Sequence, residues 1–333
     1  MDKKNPNREN PWQNARIKPP SQRDDPARAP RKPREANPWR DDAERKPRVQ
    51  TSRDAASTYA APAASASRHA HKHDSPHAEA AIEKPQRRNA DEVRIYGRNA
   101  CLAAFAKRPQ DLRKVYLTEA RIGEFKPVLA WCVKHRLGYR VVESEDLDRL
   151  TEAQHHEGVC FEVRKTPLLS VRELLRGIRQ NEPALLIWLD GVGNPHNVGA
   201  LLRSAANFGA RGAILPAGTS ALPGAALRVA EGGAEAVPLA QSRAGEDVFE
   251  LLHDADFAIA ATVPRDGWDL YKNKLPDRLA LILGAEGEGM STRLIADADL
   301  RLTIPGTGAV ESLNVSASAA VLFAEFWRQR VLR

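Results

Sequence analysis

The chain is poor in cysteine, in long apolar runs and, over its first 90 residues, in glycine. Each absence excludes something. Cys101, Cys132 and Cys160 are odd in number and widely spaced, with no Cys-x-x-Cys pair. That excludes a disulfide framework and argues against a zinc site; buried thiols in a reducing cytoplasm are expected. No apolar run reaches the ~18 residues that a membrane-spanning helix needs. Met1-Asp2-Lys3-Lys4-Asn5-Pro6 has no apolar stretch behind its charges, so no signal peptide is expected. None of the 21 glycines but 12 of the 23 prolines fall in residues 1–90. Apolar residues other than alanine are sparse there, so too little surface can be buried to offset chain entropy. A disordered tail is predicted over 1–90.

What is present is unevenly distributed. The 333 residues suggest about two domains. Residues 1–90 carry 20 Lys and Arg against 12 Asp and Glu, whereas 91–333 carry 30 against 31. The net charge of +7 therefore belongs to the tail. A basic tail on a neutral body suits a polyanion such as nucleic acid, or serves only to solubilise. Within the tail, Trp12 and Trp39 each follow Asn-Pro and could stack on exposed bases. His69, His71, His73 and His77 form a loose cluster that reads as solvated low complexity rather than a metal site.

From about Ile95 helical and strand patterns alternate. Helices are predicted at Asn99–Lys107, Glu124–Arg136 and Glu145–Leu150, and strands at Lys114–Leu117, Tyr139–Val142 and Gly158–Val163. This gives a small α/β domain over 91–165. A polar stretch over 166–182, with a helix at Val171–Ile178, reads as a linker. Over 183–333 the apolar runs Ala184–Leu189, Gly212–Leu215, Phe257–Thr262, Leu279–Leu283 and Leu300–Ile304 suit strands buried on both faces. A long helix is expected at Val315–Val331. The second domain is therefore α/β with a mostly parallel sheet.

Three stretches follow such runs and are rich in Gly, Asn and charge. They are Asp190–Arg203, Leu283–Met290 and Ile304–Ser316. Ligands of open α/β sheets bind beyond the carboxyl ends of strands, so the three could line one site. Gly191-x-Gly193 begins a dinucleotide fingerprint, but His196 stands where its last glycine should be. There is no Gly-Lys-Ser/Thr phosphate loop, and Ser312 lacks the glycines of a nucleophile elbow.

In order, Asn197-x-Gly199-x-x-x-Arg203, Leu283-Gly284-x-Glu286-x-x-Gly289 and Ile304-Pro305-x-x-Gly308-x-x-x-Ser312-Leu313-Asn314-Val315-Ser316 resemble the three motifs of the SpoU/TrmH RNA 2′-O-ribose methyltransferases. Tyr96–Ala100 and His155–Val159 resemble the opening and closing segments of that family's small RNA-binding domain. The resemblance covers about 95–333. It is nearest to the branch of tRNA/rRNA methyltransferases with basic N-terminal extensions.

The resemblance implies a SPOUT domain with a C-terminal trefoil knot, S-adenosylmethionine as cofactor, a tRNA or rRNA substrate and a homodimer with its site near the interface. It implies catalytic roles for Arg203, Asn197, Glu286, Ser312 and Asn314, and cofactor contacts at Thr262, Val263, Gly284, Gly289, Ile304 and Leu313. No metal and no membrane partner are implied. Simpler roles compete: Asn197 as a helix cap, Glu286 ordering its own turn, Ile304 as core. Two positions depart from the pattern. Gly306 stands where methionine is common, and Gly193-Asn194-Pro195-His196 replaces an Asp-Pro arrangement. A rival of another class is an RNA-binding assembly factor that keeps the fold without turnover.

Overall fold

The computed structural model describes residues 90–219, 221–285 and 289–331. The predicted tail and its Trp and His clusters lie outside them, as does Glu286.

The first sheet has the order β1-β4-β2-β3, with β1 at Glu92–Tyr96, β2 at Leu112–Leu117, β3 at Gly138–Val141 and β4 at Val159–Arg164. β4 runs antiparallel to both β1 and β2, while β3 joins β2 in parallel. Helices α1 (Arg98–Lys107), α2 (Lys126–His135) and α3 (Ser144–Thr151) connect them, close to the expected spans. β1 was not anticipated: its Glu-Val-Arg-Ile-Tyr alternation begins while the charged tail composition is still running. The three cysteines are buried and free. Burial pushes the Cys101 thiol well above its ordinary pKa, which keeps it protonated and inert.

The second sheet has eight strands in the order β10-β12-β9-β11-β6-β7-β8-β5, and every pair is parallel. Its strands are β5 (Leu169–Ser170), β6 (Ala184–Asp190), β7 (Gly212–Leu215), β8 (Leu239–Gln241), β9 (Ala258–Thr262), β10 (Trp268–Asp269), β11 (Arg278–Gly284) and β12 (Leu300–Thr303). The long apolar runs became the five central strands. The two- and three-residue strands β5, β8 and β10 are too short to carry a period. The 166–182 segment therefore does more than link: β5 closes one edge of the sheet. Helix α4 (Val171–Arg176) packs there, started by a capping box between Ser170 and Glu173.

Helices α5 (Pro195–Asn207), α6 (Gly224–Ala230), α7 (Gly233–Ala236), α8 (Val248–Asp254), α9 (Thr292–Asp297) and α10 (Val315–Val331) complete the domain. One continuous core runs from Ile95 and Val115 of the first sheet to Ile187 and Leu281 of the second and to Phe323 of the C-terminal helix. No helix of the described residues is long and apolar enough to cross a membrane.

Candidate active site

Four neighbouring strands of the second sheet end at the same edge. Leu302 of β12 lies beside Thr262, Ala261 of β9 beside Ile282, and Gly284 of β11 beside Asp190 of β6. The expected cofactor residues Thr262, Val263, Gly284 and Ile304 thus come together along one rim. Thr262 Oγ1 donates to the Ile282 carbonyl at 2.9 Å, and Val263 N–H to the Leu302 carbonyl at 2.9 Å. Asp190 accepts from Ser291 N–H at 3.1 Å, tying the loop after β11 to the end of β6.

Gly284 serves packing. A Cβ there would stand 2.6 Å from Met290 N, so its space is filled by the chain's own returning loop. Gly289, in the left-handed region at φ 74°, closes that loop by donating to Ala285 O at 3.0 Å. By contrast, a Cβ on Gly289, Gly306 or Gly308 would meet nothing within 4 Å. These loops present bare backbone to open space. Ile304 is half-buried against the core, while Leu313 and Val310 stand 48% and 68% exposed. Backbone groups beside unpartnered apolar side chains suit a purine ring with a polar edge, so the residues fit S-adenosylmethionine. Among the described residues, no three His, Cys, Asp or Glu side chains cluster as metal ligands would.

The expected catalytic residues divide into two groups. Asn197 lies buried near the start of α5, but it is not the cap: Asn194 fills that role, accepting from His196 N–H at 2.9 Å. Asn197 Oδ1 instead accepts from Asn314 Nδ2 at 3.2 Å. Asn314 begins α10, its Oδ1 accepting from Ser316 N–H at 2.9 Å, Ser316 Oγ at 2.6 Å and Ala317 N–H at 3.3 Å. The first and third motifs therefore meet through two asparagines. Ser312 is exposed in the loop before them. Asn314→Ala removes both the cap and the bond to Asn197. A loss of about 1–2 kcal/mol is expected, read as a lower denaturant midpoint at unchanged m-value.

Arg203 is elsewhere. It lies six residues beyond Asn197 on α5, roughly 9 Å along the axis and about 120° around it. Its guanidinium is exposed and pairs with Glu231 Oε1 at 3.0 Å. Both line an open pocket of about 540 Å³ walled by Ala103 of α1 and by Ser204, Asn207 and Gly232. Within one chain, Arg203 and the asparagine pair occupy different faces of α5.

The segment that bears Glu231 also joins the two sheets, which the sequence did not reveal. Arg108 makes a bidentate contact with Glu235, with distances of 2.7–3.1 Å. Burial opposes the Arg108 charge, yet Glu235 holds its pKa above the ordinary value. Arg228 pairs with Glu157 at 3.3 Å and donates to the His155 carbonyl. The His155–Val159 motif is thus partly a joint. His156 is buried, its Nδ1 accepting from Gly158 N–H at 3.0 Å, and its carbonyl accepts from Gly97 N–H at 3.2 Å. The one available sequence signal was Glu231-Gly232-Gly233, an acid set at a helix stop.

Comparison with known proteins identifies the family. Residues 184–324 match the SpoU rRNA Methylase family, and residues 94–168 match the family described as RNA 2′-O ribose methyltransferase substrate binding. The uncharacterized tRNA/rRNA methyltransferase YfiF of Escherichia coli O157:H7 is 36% identical over 247 residues, covering 73% of this chain and 70% of that protein. The 23S rRNA (guanosine-2′-O-)-methyltransferase RlmB of Haemophilus influenzae is 33% identical over 240 residues, covering 71% of this chain and 98% of that protein. An AdoMet-bound rRNA methyltransferase from Sinorhizobium meliloti shares the fold, with a TM-score of 0.61 at 22% identity over 73% of this chain and 89% of that one. Two matched domains in this order, over a rim that fits the cofactor, place the chain in the SpoU family of S-adenosylmethionine-dependent RNA ribose methyltransferases.

Proposed function

We propose that the protein methylates a ribose 2′-hydroxyl in tRNA or rRNA in the cytoplasm, with Arg203 as the group that acts on the RNA. The domain over 91–165 docks structured RNA, and the basic tail adds phosphate attraction that weakens with salt. S-adenosylmethionine, when bound at the strand-end rim, supplies an electrophilic methyl group. Thr262, Val263, Ile304, Leu313 and the backbone of Gly284 and Gly289 would hold it. The C-terminal segment returning from β12 to α10 would form the family's knot.

The chain's own residues must do the rest. A ribose hydroxyl is a poor nucleophile until its proton is drawn off. A guanidinium is a donor without an acceptor lone pair, so it is a poor base. Arg203 holds a neighbouring phosphate in its planar fork and lowers the hydroxyl pKa by its charge, so that the proton passes to solvent water as the methyl group transfers. Asn197 and Asn314 fix the two motif segments against each other, so that the loop before α10 keeps its place.

The observation that carries the dimer is the separation of Arg203 from Asn314 across α5. We infer that two copies associate so that Arg203 of one faces the loops of the other. Leu313, Val310 and Trp327, all exposed, supply apolar surface for that contact. Mixing Arg203→Ala with Asn314→Ala subunits tests this. In a composite site, half of the subunit pairs are mixed and each regains one intact site, so about a quarter of wild-type activity returns. A site formed within one chain regains none.

A further inference from the structure

Glu231 ends α6 in the left-handed region, at φ 45° and ψ 44°, and Gly232 follows at φ 93°. Such a conformation is costly for a residue with a Cβ. Two successive left-handed residues turn the chain sharply between α6 and α7. The carboxylate reaches both domains. Oε1 meets Arg203 at 3.0 Å, and Oε2 accepts from Asn99 Nδ2 at 3.2 Å. Asn99 is held in turn, its Oδ1 accepting from Arg98 at 2.8 Å. The backing is tight, since a Cβ on Gly232 would stand 2.7 Å from the Cβ of Ala103 on α1.

We propose that Glu231 is a positioning residue for Arg203, and that Asn99 of the RNA-binding domain sets Glu231 in turn. The inference rests on Arg203 being the acting group. An exposed ion pair adds little stability, so the role lies in geometry. A half-exposed arginine has many rotamers, and one fixed acceptor narrows them before RNA arrives. Because Asn99 opens the first helix of the RNA-binding domain, RNA docked there bears on the arginine through one turn of chain. Among the described residues, the polar ties of Arg228 to Glu157 and Arg108 to Glu235 lie on the same short segment. Movement of that domain therefore bears on the turn that carries Glu231.

The test compares Glu231→Gln, Glu231→Gly, Asn99→Ala and Arg203→Ala in the full-length protein. The probe is total tRNA and rRNA from cells lacking it, with labelled methyl transfer as the readout. Glu231→Gly lowers kcat on the order of tenfold, with KM for RNA within about twofold. Glu231→Gln retains more activity, because its amide oxygen still accepts from Arg203. Asn99→Ala falls between wild type and Glu231→Gly. The melting temperature of Glu231→Gly holds or rises, because glycine tolerates the left-handed backbone. That separates positioning from folding.

The second readout does not use activity. Phenylglyoxal labelling of Arg203, followed by peptide mass spectrometry, should speed up several-fold in Glu231→Gly and measurably in Asn99→Ala. Wild-type turnover in Glu231→Gly beside an inactive Arg203→Ala overturns the inference and leaves the catalytic reading standing. Wild-type turnover in Arg203→Ala overturns both. An unchanged labelling rate in Glu231→Gly overturns the hold itself, whatever the activities.

Discussion

Arg203→Ala is expected to lower kcat by about 10²–10³, the usual loss when one preorganised charge facing the reacting centre is removed. The expectation follows from what the guanidinium can and cannot do. A guanidinium offers donors and charge but no acceptor, so the substitution removes a charge and not a base. The guanidinium can neutralise a phosphate and favour the alkoxide that develops as the methyl group transfers. Arg203→Lys keeps the charge but loses the planar fork, so it should recover only part of the rate. RNA affinity should fall by no more than a few-fold if, as proposed, the small domain and the basic tail supply most of the phosphate contacts. Folding should be nearly untouched, since the Arg203–Glu231 pair is half-exposed, at 58% and 35% for the two side chains. Methyl-transfer assays beside filter binding and thermal melts check all three. Near-normal turnover with normal RNA binding would move the catalytic role off α5. Loss of turnover with cellular function intact would favour the assembly-factor reading.

Much of the architecture was legible because buried parallel strands leave an unmistakable trace. Ala184–Asp190 and Arg278–Gly284 are covered on both faces and carry almost no polar residue to obscure them. Gly212–Leu215 and Val315–Val331 have the limits that the pattern indicated. Strands β5, β8 and β10 left no trace because their order comes from a neighbour's edge, not from their own residues. The motifs were legible as a set, but their division of labour was not. The sequence allowed Asn197 to bond the ribose, to hold Arg203 or to cap α5; the structure caps α5 with Asn194 and joins Asn197 to Asn314. Glu231 belongs to none of the three motifs. Its role depends on a backbone conformation and on a residue 132 positions away, neither of which a single sequence displays.

Gly199→Ala is expected to destabilise the protein by about 2–3 kcal/mol, although it adds only one methyl group to a helix. On an open helix face the same change would stabilise by about 1 kcal/mol, through propensity. Packing reverses the sign here. A Cβ on Gly199 would stand 2.6 Å from the Ala226 carbonyl oxygen, 2.7 Å from the Val229 Cβ and 3.1 Å from the Ala230 nitrogen. Two of those three are backbone atoms of α6, which cannot swing aside as a side chain can. The helix itself must retreat from α5. A melting temperature lower by roughly 5–10 °C follows for a body of this size. The consequence extends to the site, because α6 ends at Glu231, the partner of Arg203. Activity should therefore drop further than the folded fraction does, even well below the melting temperature. Cofactor affinity should hold, since the strand-end rim lies on β9, β11 and β12 rather than on α6. Titration with S-adenosylmethionine beside steady-state kinetics separates the two. The glycine of the first motif is thus required by the approach of two helices, and its bearing on catalysis passes through the arginine that this approach positions.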